Sequence, residues 1–113
     1  MAKVAYSKLN AKVNTEYKVI TLEDEKEIEI LQYLPINDKL DVITRVIELS
    51  YDPGIYYSNP LKTNVYLDLE IIQAYTNITF TEKQLENPPK LYDAIVSSGW
   101  RDRIFNEIPA EEL

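Results

Sequence analysis

Histidine and cysteine are absent from this chain of 113 residues, and glycine occurs only twice, as Gly54 and Gly99. Each absence removes a class of chemistry. Without histidine there is no side chain whose ordinary pKa lies near neutrality, and no ordinary serine triad. Without cysteine there is no thiolate nucleophile, no disulfide and no thiolate zinc site. Two isolated glycines do not make a phosphate-cradling loop. Long hydrophobic runs are missing too. None exceeds three residues, so no stretch reads as a membrane span, and Met1–Tyr6 lacks the apolar core of a secretory signal. This pattern fits a protein of the cytosol.

What is present is ordinary globular material: 45% apolar and 27% charged residues, with nine tyrosines and six prolines. One domain is the natural reading of this length. Residues 1–34 form its strand region and 36–113 its helical region. Nineteen acids against twelve bases leave a net charge of −7. Such a surface repels phosphate backbones, which bind mainly through lysine and arginine. Nucleic acid is therefore not an expected partner, whereas basic protein surfaces are.

The expected fold is α+β, an N-terminal antiparallel hairpin packed on four to five short helices. Tyr17–Leu22 and Glu27–Tyr33 alternate with period two around the polar connection Glu23–Lys26, which is the pattern of a hairpin. Ile28 and Ile30 fall on one face, Glu27 and Glu29 on the other. The segment around Lys3–Tyr6 reads as an extended arm or a third, edge strand. After Pro35, Asn37 is a good N-cap for a helix whose inward stripe is Leu40, Ile43, Val46, Ile47 and Ser50, widened by Val42 and Leu49.

Asn59-Pro60 opens a second helix running to about Tyr75, apolar around much of its circumference and so expected at the centre. Thr81–Gln84 has capping-box spacing. Asn87 is pushed towards extended backbone by the proline after it, and Pro89 opens a helix burying Leu91, Ala94 and Ile95. Gly99 fits the left-handed position past its end. A last helix, from Arg101 to Ile108, turns Ile104, Phe105 and Ile108 inward. Pro109–Glu112 reads as the first turn of a further helix, and the chain as a shortened form of a longer protein.

Carboxylates are the only catalytic material in quantity, but those on the hairpin sit in the turn or on its wet face, where nothing raises their pKa. The acids around Asp24 lack the glycine a calcium loop needs. Ser97-Ser98-Gly99 reads as a helix end, and Asn77-Ile78-Thr79 as a tight bend. No catalytic, cofactor-binding or metal-ligating residue is assigned. Tyrosines are the better signal, because they offer large contact area at little entropic cost. Tyr51, Tyr56 and Tyr57 crowd one loop with Ile55, too many large side chains to bury at once. The candidate partner-binding residues are Val4 and Tyr6 in the arm, which can add to a neighbour's sheet, and Ile55, Tyr56 and Tyr57 in the loop.

Several phrases together resemble a family of small tailed-bacteriophage proteins: Met1–Asn10, Glu29-Ile30 with Gln32–Pro35, Leu69–Ile72 with Ala74–Ile78, Phe80–Gln84, and Lys90–Asp93 with Val96–Gly99. The likeness spans nearly the whole chain. It implies a product of virion morphogenesis genes, found in the host cytoplasm or in the virion; with no catalytic residue assigned, the expected action is contact with other phage structural proteins or further copies of itself. The order of elements is also similar to that of phage tail assembly chaperones, which implies a role in tail or head–tail morphogenesis. The competing expectation is an acidic inhibitor of a host defence nuclease that mimics nucleic acid. A hydrolase using serine and lysine, or carboxylates, is a third reading, and it needs a deep pocket around a strongly shifted group.

Overall fold

A two-stranded antiparallel ladder, β1 (Tyr17–Thr21) with β2 (Glu27–Leu31), is the first regular element of the computed structural model, which describes residues 2–52, 57–58 and 60–113. Its register pairs Tyr17 with Leu31 and Thr21 with Glu27, which puts Ile20 opposite Ile28. Alternation works as expected: Ile30 is buried and Ile28 half-buried, while Glu27 and Glu29 stay wet. The connection is tighter than four polar residues suggest. Glu23–Glu25 make a 3₁₀ turn, and Glu25 sits at φ 57°, a left-handed position that is strained for a side chain of this kind.

The arm is not a third strand. Residues 2–16 are exposed throughout and contain one short 3₁₀ turn, Tyr6–Lys8. Only Glu16 reaches the ladder, its carbonyl accepting from Gln32 N–H at 3.0 Å. The run Lys3–Tyr6 is too short, and its face too little apolar, to be held at the edge of a hairpin. The radius of gyration is 17.3 Å, where a compactly folded chain of this length has about 13 Å, in keeping with an arm that stands off the body.

Five helices follow: α1 (Ile36–Ser50), α2 (Pro60–Tyr75), α3 (Glu82–Leu85), α4 (Pro88–Ser97) and α5 (Trp100–Asn106). Between α1 and α2 lies a two-residue ribbon, β3 (Tyr51–Asp52) paired with β4 (Tyr57–Ser58), where the sequence reads as open loop. Helix α1 begins one residue before the expected cap, since Lys39 N–H already donates to Pro35 carbonyl at 3.0 Å; Asn37 therefore sits inside the first turn. Asn87, expected as a mere extended residue, is the N-cap of α4, its Oδ1 accepting from Lys90 N–H, and the helix starts at Pro88. The capping box at Thr81 and Gln84 forms in both directions. Gly99 takes φ 76°, ending α4 and capping α5 at once.

The core joins both halves of the chain. Ile30 and Leu34 from the strand region meet Val42 and Val46 of α1, Leu69, Ile71, Ile72 and Tyr75 of α2, and Ile95, Ile104 and Ile108 beyond. Each aliphatic side chain so enclosed contributes roughly 1.5–3 kcal/mol. Helix α2 is central, as its all-round apolar pattern implies. Hydrogen bonds lock the hairpin onto it: Ile30 bridges to Thr76, and Glu29 N–H donates to Asn77 Oδ1 at 3.0 Å. Arg103 donates to the carbonyl of Thr21, and Gln32 Nε2 to that of Glu107. Of the α4 residues expected inside, Ile95 is buried, Leu91 half-buried and Ala94 exposed.

Candidate partner-binding surface

Helix α1 carries more apolar surface than the fold covers. At about 100° per residue, Val42, Val46 and Ser50 face α2 and are buried. Ile36, Leu40, Ile43 and Ile47 recur at intervals of four, three and four, within about 60° of arc. They are between 52 and 62% exposed. This corrects the sequence expectation, which turned Leu40, Ile43, Ile47 and Leu49 inward with Val46. The apolar arc spans about half the helix, one neighbour covers only about half of that arc, and Leu49 is left exposed at its far edge.

The strip has distinct borders. On one side Ile43 passes into a cleft of about 410 Å³ bounded by Leu67, Phe105 and Leu113, with Lys39 and Glu112 at its wall. On the other side come Thr44 and Asn37 and then, about 80–100° past the strip's edge, Glu48 and Asp41, both exposed and without an ion-pair partner among the described residues. Arg45, by contrast, is engaged across to α2, its Nε 2.8 Å from Glu70 Oε2. Contiguous exposed apolar patches beyond a few hundred Å² mark interaction sites, particularly when rimmed by polar groups.

Two polar clusters hold the walls in place. Asp68, an acid buried in α2, accepts on Oδ2 from Arg101 Nε at 2.7 Å and from the Tyr92 hydroxyl at 2.8 Å. The bond to Asp68 raises the Arg101 pKa against the opposing effect of partial burial, and its guanidinium stacks 4.3 Å from the Phe105 ring centre. Burial, then the bond to Asp68, raises the Tyr92 pKa. Glu112 accepts from Leu34 N–H at 2.8 Å, Lys39 Nζ at 3.1 Å and the Tyr75 hydroxyl at 3.1 Å. Burial opposes its charge, yet these three donors hold its carboxyl below the usual range. The same burial and the bond to Glu112 push the Tyr75 hydroxyl well up. Each of these shifted groups is bonded to another side chain of the fold, which makes them clasps. Among the described residues, no three acids converge as metal ligands.

Val4 and Tyr6, the arm candidates, are 66 and 74% exposed. Among the described residues the arm's hydrogen bonds are local, apart from that of Glu16 to Gln32. Ile55 and Tyr56 lie outside the described residues, and Tyr57 is described by its backbone alone, in β4. The α1 strip was missed by sequence reasoning. Its only advance signal was an apolar arc too wide for one neighbour.

No protein-family model matches this chain, and neither does any curated protein or solved structure.

Proposed function

We propose that this protein works by non-catalytic protein–protein contact, as a component or assembly factor of a bacteriophage particle, in the tail or at the head–tail junction. The observation that carries the contact reading is the strip Ile36, Leu40, Ile43 and Ile47, four large aliphatic side chains left more than half exposed along one helix. Leaving such a strip in water forgoes stabilisation of roughly 25 cal/mol for every Å² that a partner would cover. The arm adds Val4, Tyr6, Leu9 and Val13, all exposed. The phage setting is supported by the sequence resemblance.

The test is capture from phage-infected cells with the tagged chain, alongside mass spectrometry of purified virions. The expected result is recovery of virion or tail proteins by the wild type, lost in Ile43→Gln/Ile47→Gln, a pair that keeps helix propensity while removing apolar surface. Recovery of a host nuclease alone, in a complex that dissolves steeply with salt, favours the mimicry reading and rejects this one. Turnover of a substrate that depends on a single carboxylate or serine rejects both.

A further inference from the structure

We infer that the N-terminal arm of one copy lies as a helix along the Ile36–Ile47 strip of a second copy. This rests on the contact reading above and names its partner. Three observations lead to it.

The first is charge. All nineteen acids lie in residues 16–113 with nine of the twelve bases, so that part carries −10 and residues 1–15 carry +3. Lys3, Lys8 and Lys12 have no ion-pair partner among the described residues. Neither do Asp41 and Glu48, the exposed acids of α1 on the flank beyond Thr44. Opposite unpaired charges beside two apolar surfaces are the arrangement that steers and registers an interface.

The second is spacing. Ala2, Tyr6, Leu9 and Val13 recur at intervals of four, three and four, the same intervals as Ile36, Leu40, Ile43 and Ile47. Wound as a helix, the arm presents one apolar stripe of matching length, with Lys8 and Lys12 one turn apart beside it. A helical nucleus already exists at Tyr6–Lys8. Val4, Asn10 and Val13 are weak helix formers, and so short a segment does not hold a helix alone. A partner's apolar face supplies the missing packing.

The third is geometry within one copy. The arm is rooted where Glu16 accepts from Gln32, four residues before α1 begins, yet both arm and strip stay exposed in the single chain. The occupant is therefore taken from another copy. Since arm and strip are different surfaces, the contact closes either reciprocally in a dimer or head to tail in a ring.

Complementing variants test this. Leu9→Gln/Val13→Gln disables the arm and keeps the strip; Ile43→Gln/Ile47→Gln does the reverse. All four positions are exposed, and circular dichroism verifies that each variant folds. By analytical ultracentrifugation the wild type is expected above the mass of one chain, and each variant to associate at least about thirtyfold more weakly. Mixing the two variants restores a species of two chains and no larger, while backbone NMR shows residues 3–13 turning helical. A wild type that stays at one chain's mass, variants that associate as well as it does, or a mixture that restores nothing overturns the inference. A one-chain species in which the arm covers its own strip overturns it equally. If the wild type is monomeric yet the strip variant still loses its captured virion proteins, the contact reading stands and only the second copy is rejected.

Discussion

Each end of the chain carries a three-residue 3₁₀ turn, Tyr6–Lys8 near the start and Ala110–Glu112 near the finish, and their fates differ completely. The later turn is held by one side chain. Glu112 draws donors from Leu34, Lys39 and Tyr75, on three different stretches of the fold. The earlier turn has a lysine where the other has acids, and among the described residues no carboxylate pairs with it. Local backbone preference is alike at the two ends, so the difference is tertiary. A short segment is held against the fold when a buried charge finds enough donors to offset its desolvation; without that, it stays exposed.

The largest effect that sharpens this contrast is expected from Glu112→Ala. It strands the Leu34 N–H and the Tyr75 hydroxyl and leaves Lys39 without its carboxylate, a loss of roughly 2–3 kcal/mol. Urea unfolding measures it, and fast hydrogen exchange at the Leu34 amide locates it. A loss below about 0.5 kcal/mol breaks the clasp account. Asp68→Asn follows, at roughly 1–2 kcal/mol, because Arg101 loses its buried countercharge and keeps only the exposed Asp102 at 3.4 Å, while the amide oxygen can still accept from Tyr92. Its signature is weaker protection of α4 and α5 with the hairpin unchanged.

Acid acts on the same end. The Glu112 pKa is lowered in the folded state, so its contribution is present above the unfolded value of about 4.3 and is lost as pH falls through the lower, folded value. The stability gap between wild type and Glu112→Gln is expected to be constant near neutrality and to narrow below about pH 4. A gap that widens on acidification contradicts the assignment. The smallest effect belongs to the other end. Deleting residues 2–13 is expected to shift the unfolding free energy of the single chain by less than about 0.5 kcal/mol, because the arm's hydrogen bonds are its own. A larger loss shows that the arm belongs to the fold after all.

How much of this the sequence revealed depended on the range of the interaction. The hairpin, the limits of α2, the capping box at Thr81 and the left-handed Gly99 are local, governed by residues at most a few positions apart, and each could be read. The direction of α1 could not. Its apolar arc runs from Leu49 through Val46 to Leu40, and any part of it satisfies helical periodicity; which part meets α2 is decided by packing. The two clasps were out of reach for the same reason. Asp68 and Arg101 are 33 residues apart, and Leu34 and Glu112 are 78 apart. The faint signal was Asp68 itself, an acid set between Leu67 and Leu69 on the most apolar helix. The arm misled in the opposite sense. Val4 and Tyr6 alternate like a strand, while Tyr6, Leu9 and Val13 repeat like a helix, and a segment with two weak patterns adopts neither alone.

Methyl and amide NMR across a concentration series puts the account to its most direct test. On association, the Ile36, Leu40, Ile43 and Ile47 methyls and the amides of Tyr6 to Val13 should shift together, while the methyls of Ile30, Ile72 and Ile104 hold still. Association that shifts some other surface and leaves both the strip and the arm in place contradicts it.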